Sequence, residues 1–213
     1  MKIAYKLTDS KMRTYKGFQW EIGKWYETTG KGKFCSSNWL HFYSDPLVGL
    51  FMNPNHANIE NPRLFRAEVE GKFLDDHGLK CGYTKARLVE ELPVPQISPV
   101  QRVRFAIFCV KEVYKGKKWN EWANNWLSGK DRTMMKAWNR DCTKDAIIAT
   151  NAALAAYAFY ANNVPGATLQ QWIAEIAIYA AKSVTESVAE SIASATESKE
   201  IDLIGIARKA MEN

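Results

Sequence analysis

Leu92-Pro93-Val94-Pro95-Gln96-Ile97-Ser98-Pro99 divides this sequence in two. Three prolines within seven residues fix the backbone in an extended run. On its N-terminal side the chain is written in short aromatic runs punctuated by glycine. On its C-terminal side alanine-rich runs with helical spacing take over. This predicts an α+β protein: a small mixed α/β domain over 1–95, followed over 96–213 by an all-α, alanine-rich helical bundle or repeat-like domain.

Just past the prolines, Ser98 as N-cap, Pro99 at the first helical position and Gln101 three residues after the cap form a capping box. Val103, Ala106, Val110 and Val113 then share one stripe, with Gly116 as a stop. Trp119, Trp122, Ala123 and Trp126 recur at i, i+3, i+4 and i+7 before Gly129. A long helical stretch is expected from about 133 to 161, broken by Asn162-Asn163-Val164-Pro165-Gly166. Thr168 with Gln171 opens another helix, whose tail carries the near-repeat Ser183–Ile192. A last helix places Ile201, Ile204, Ala207 and Met211 at helical spacing. Ala152, Ala153, Ala155, Ala156, Ala158 and Ala161 favour helix and close helix approach.

Upstream, Lys2–Leu7 reads as a first strand. Gly17-Phe18-Gln19-Trp20-Glu21-Ile22 alternates with period two, and Gly23-Lys24 turns it into Trp25-Tyr26-Glu27 as a hairpin. Trp39–Tyr43 is a short strand. Ser44-Asp45-Pro46 starts a helix over Pro46–Met52 that stops before Pro54, leaving Asn53–Pro62 as loop. Phe65–Gly71 alternates again, with Phe65, Ala67 and Val69 on the core face, and Lys85–Glu90 is the last strand.

The 213 residues are 46% apolar and 24% charged, which excludes disordered and fibrous classes. The net charge of +6 is concentrated. Residues 101–145 hold 11 Lys/Arg against 5 Asp/Glu, while 146–213 hold 4 against 7. This basic band over 102–144 interleaves Arg104, Lys111, Lys115, Lys117, Lys118, Lys130, Arg132, Lys136 and Arg140 with Trp119, Trp122, Trp126 and Trp138. Cations beside exposed aromatics hold single-stranded nucleic acid. Three indoles on one helix face instead describe a core stripe, which leaves the lysines and arginines as contacts for a partner.

Cys35, Cys81, Cys109 and Cys142 contain no C-x-x-C pair, and no secretory segment follows Met1, so a reducing cytoplasm is expected. No stretch is apolar enough for a membrane. His77-x-x-x-Cys81, with Cys35, His41 and His56 in the same half, matches no standard zinc spacing, and these residues read as structural. No Walker, Gly-x-Ser-x-Gly, His-Glu-x-x-His or dinucleotide-binding glycine motif occurs, and no cofactor is expected. An ADP-ribosyltransferase-like layout remains as an alternative, with His41, Tyr43 and Glu90 or Glu91 in the catalytic roles.

Two pieces resemble known families. Arg102–Val113, then Trp122-Ala123-Asn124-Asn125-Trp126-Leu127-Ser128-Gly129 and the alanine-rich helices, resemble the helical domain of the immunity-protein family of bacterial polymorphic-toxin systems. The first half resembles an uncharacterised domain common in phage genomes. That resemblance rests on Gly17–Lys24 with Tyr26-Glu27, then Cys35, His41-Phe42, Pro46 and Glu68-Val69-Glu70-Gly71. Together they imply a phage accessory protein. The expected function is a non-enzymatic protein-binding module that engages a host or phage protein in counter-defence or host takeover. Nucleic-acid binding through the basic band is the alternative, and self-association through the Ser/Ala faces of Ser183–Ala195 is left open.

Overall fold

The computed structural model describes residues 1–132 and 201–212. The chain is of mixed α/β class and divides into two compact units, Met1–Gln96 and Ile97–Asn213. In the first unit the strands are β1 (Lys2–Thr8), β2 (Arg13–Thr14), β3 (Phe18–Gln19), β4 (Tyr26–Glu27), β5 (Leu40–Phe42), β6 (Arg63–Asp75) and β7 (Cys81–Leu92), with one helix, α1 (Pro46–His56). The second unit contains α2 (Pro99–Val113), α3 (Lys117–Leu127) and α4 (Leu203–Met211) among its described residues.

β6 and β7 form a long antiparallel hairpin that organises the first unit. β1 lies on the outer edge of β6, while β5 and β4 lie end to end along the other edge of β7. The sheet then closes. Tyr43, the residue after β5, exchanges two backbone hydrogen bonds with Tyr5 of β1, at 2.8 and 2.9 Å. Inside the ring, Ala4, Trp20, Leu40, Phe42, Phe65, Ala67, Val69, Cys81, Tyr83, Ala86 and Leu88 make one apolar core. Phe65, Ala67 and Val69 point inward as their alternation predicts.

Several local readings need correction. Gly17–Ile22 does not pair with Trp25–Glu27. Phe18 and Gln19 pair with Thr14 and Arg13, across a tight turn in which Lys16 and Gly17 have φ of 56° and 76°. Trp20 drives the change. Its ring, 1% exposed, sinks into the core in edge contact with Tyr26 and Phe42, so the chain cannot continue as a hairpin. Ile22 instead bridges Leu88, and Tyr26 pairs with Ala86.

The helix predicted to stop at Met52 runs on to His56, through Pro54 in its last turn. Asn53 holds the chain beyond it, bonding both the N–H and the carbonyl of Ile59. The strands expected at Phe65–Gly71 and Lys85–Glu90 are 13 and 12 residues long, because the hairpin continues past a bulge at Gly71. Gly116 stops no helix; α2 ends at Val113 and Gly116 opens α3.

The bulge sets a tight constraint. Gly71 has φ of +84° and Gly30 has φ of +62°, and a Cβ on either would overlap the side chain of Thr84. Thr84 in turn accepts from the N–H of Lys72 through Oγ1 (2.9 Å) and from Thr28 through its carbonyl (2.8 Å).

In the second unit, Ser98 caps α2 with the predicted box. α2 is more than amphipathic: every residue from Phe105 to Val110 is buried, as is Val103. Over Phe105–Val110 the helix is therefore covered on every side. α3 buries Trp119, Trp122, Ala123 and Trp126, the predicted stripe. On α4 the buried stripe is Leu203, Ile206, Ala207 and Ala210, rotated from the predicted Ile201, Ile204, Ala207 and Met211. The readings for 133–200, including the Ser183–Ile192 repeat and the helical bundle as a whole, lie outside the described residues.

Gly71→Ala is expected to lower stability by about 2–3 kcal/mol, since it combines a left-handed backbone with overlap on Thr84. A urea titration reads this as a lower midpoint with an unchanged slope.

Candidate interaction surface

The cations of the basic band fall into two groups. The first closes helix ends. A helix leaves its last carbonyls without intrahelical donors and carries partial negative charge there. Arg104 of α2 donates to Leu127 O at the end of α3 (3.4 Å) and to Lys209 O and Ala210 O at the end of α4 (both 3.2 Å). Gln101 reaches Met211 O, also at 3.2 Å. Lys115 bonds Lys111 O, a carbonyl of the last turn of α2. Arg132 donates to Trp126 O (3.3 Å) and lies over the Trp126 ring.

The second group is unspent. Lys117 and Lys118 occupy the first turn of α3, which has no acidic residue there and no side-chain cap. Both are exposed, as is Lys130, and none of the three has a hydrogen-bond or ion-pair partner among the described residues. Lys111, by contrast, bonds Asn124 Oδ1. Its amine is held below the ordinary lysine range by burial and then by the charges of Lys209 and Lys115. Lys209 is the member of this crowd that lies outside the predicted band, 98 residues downstream of Lys111. Lys136 and Arg140 lie outside the described residues.

Trp119, Trp122 and Trp126 are 1%, 9% and 0% exposed. Their faces are committed to the core and offer no platform for a stacked base. Trp138 is outside the described residues.

The first unit does not bring the candidate transferase residues together. His41 directs Nε2 at Phe34 O (2.8 Å), and burial, followed by the charges of Lys6 and Lys80, holds its pKa below the usual imidazole range. Tyr43 stacks on His56, with its hydroxyl pKa pushed well up by burial. Glu90 and Glu91 pair with Arg66 (3.0 Å) and Arg63 (2.5 Å). Tyr43, Tyr5, Arg66 and Glu90 are successive cross-strand neighbours, so three strand spacings, about 14 Å, separate Tyr43 from Glu90.

Nor do the nominated metal ligands converge: no three His, Cys, Asp or Glu groups gather among the described residues. Cys81 is buried inside the ring, and its pKa is pushed up to about 12 by burial and then by Asp75. Cys35 is exposed and accepts from Lys80.

One inward-facing cation escaped the sequence reading, because a single lysine in an alternating strand looks like a solvated residue. Lys6 bonds His41 O (2.5 Å) and lies 5.4 and 5.1 Å from the centres of the Trp20 and Phe42 rings. It satisfies a carbonyl at the seam where β1 and β5 meet. Burial lowers its pKa to about 8.

No helix among the described residues is long and apolar enough to cross a membrane.

Two measurements check these assignments. Arg104→Ala strands three carbonyls and is expected to cost about 2 kcal/mol in a denaturant titration, with Arg104→Lys recovering only part. For Lys6 the folded pKa lies below the unfolded one, so the unfolded chain binds more protons between pH 8 and 10.5. Stability from this group therefore rises with pH across that window. Subtracting the profile of Lys6→Met from that of the wild type should isolate this rise.

No curated protein and no solved structure matches the chain. Residues 2–99, nearly all of them in the first unit, match the family model described as Domain of unknown function (DUF7666).

Proposed function

We propose that this chain is a non-enzymatic binding module whose basic turn between α2 and α3 docks on an acidic surface of a protein partner. Lys117 and Lys118 form the contact, flanked by Lys111 and Lys115, with Lys130 beyond the far end of α3. The carrying observation is the placement of Lys117 and Lys118. Cations in the first turn of a helix oppose its dipole, and this helix also lacks a capping side chain. Folding gains nothing from them there. A residue pair that breaks a local rule without a return in stability fits one kept for a partner.

Protein is favoured over nucleic acid because the neighbouring indoles are buried and cannot stack on bases. The resemblances noted from sequence fit the same reading, in which a phage-encoded chain engages a host protein in counter-defence or host takeover.

The test uses the K117E/K118E variant. Acidic residues in the first turn of α3 should raise stability by about 1 kcal/mol. The same variant should lose a specific protein that the wild type captures from host lysate at physiological salt. Equal capture by both proteins would sink the proposal. Retention of a single-stranded oligonucleotide, with affinity falling steeply as salt rises, would move the reading to nucleic acid.

A further inference from the structure

The distal half of the β6–β7 hairpin has an open edge. β1 covers β6 only from Arg63 to Val69, and no strand among the described residues pairs with the same edge from Gly71 to Asp75. Which groups face outward follows from the ladder. Asp76 N–H bonds Lys80 O, so Asp76 and, two residues on, Leu74 turn their backbone groups into the hairpin. Phe73 and Asp75 therefore turn theirs outward. The segment is apolar as well as open, with Phe73 48% and Leu74 38% exposed.

We propose that this edge pairs with the same edge of a second copy of the chain, in an antiparallel register centred on Leu74. Outward-facing backbone groups meet only when both partners present them, which confines the choice to registers pairing odd-numbered with odd-numbered residues. Of these, the register centred on Leu74 is the one that matches charge. Lys72 faces the second copy's Asp76, Leu74 faces Leu74, and Asp76 faces Lys72. On the opposite face, Asp75 of the second copy comes opposite Phe73, over which the Lys2 ammonium lies at 5.3 Å. Lys72, Leu74 and Asp76 thus read as a self-complementary triplet. Phe73 and Asp75 exchange four backbone hydrogen bonds across the two-fold axis, extending the line of β1.

The contact is short, well under the roughly 1,600 Å² of a stable interface, so association is weak and rises with concentration. The turn of the bulge at Gly71 and the charge of Lys72 limit pairing to this segment and oppose open-ended stacking.

Sedimentation velocity over a concentration series tests the idea on the full chain. Wild-type protein should shift from monomer toward dimer. K72D alone sets like charges opposite each other twice per dimer and should weaken association about tenfold. D76K alone should do the same. The double variant K72D/D76K restores opposite charges and should recover the wild-type curve, a result that misfolding cannot imitate. The amides of Phe73 and Asp75 should also exchange more slowly at high protein concentration. A chain that stays monomeric throughout, a dimer indifferent to K72D, or a double variant no better than either single one would each overturn the proposal.

Discussion

Two hydrogen bonds between Tyr5 and Tyr43 turn an open sheet into a closed one, and the first unit depends on that closure. With β1 joined to β5, the inward faces of four strands surround a single apolar volume. Small barrels of this kind leave room only for side chains, and here Trp20, Phe42, Phe65 and Tyr83 fill it. Closure also decides the fate of Lys6. On the inner face of β1 its ammonium settles between two aromatic rings and a backbone carbonyl. Burial disfavours its charged form, and the rings' faces and the carbonyl offset part of that cost.

In the second unit the equivalent constraint is a shortage of donors. The ends of α3 and α4 meet at Arg104 of α2, and their carbonyls, like those at the end of α2 itself, need donors. Arg104, Lys115, Arg132 and Gln101 meet that demand. Much of the positive charge in this stretch therefore belongs to the fold. Among the described residues, what remains exposed and unpaired is Lys117, Lys118 and Lys130.

Legibility in the sequence tracked the range of the forces at work. The capping box at Ser98, the indole stripe of α3 and the inward face of β6 depend on neighbours within a turn or a strand, and their residue spacing reveals them. The hairpin expected after Gly17 failed because Trp20 answers to Tyr26 and Phe42, not to its own alternation. The run of α1 through Pro54 rests on Asn53 holding Ile59, a contact no local pattern announces. The candidate surface was legible as charge but not as roles. Spacing cannot tell Arg104, which serves two helix ends, from Lys117, which serves none, because the distinguishing partners lie up to 106 residues away.

α4 supplies part of the covering of α2, yet about 90 residues of chain separate them. At ordinary translation rates α2 emerges from the ribosome roughly 5–20 s before α4 exists. For that interval α2 lacks the covering that α4 provides, and Arg104 still lacks the carbonyls of Lys209 and Ala210. Such a helix is a natural client for chaperones that shield apolar segments during synthesis, and its burial is settled late, when the distant helix arrives.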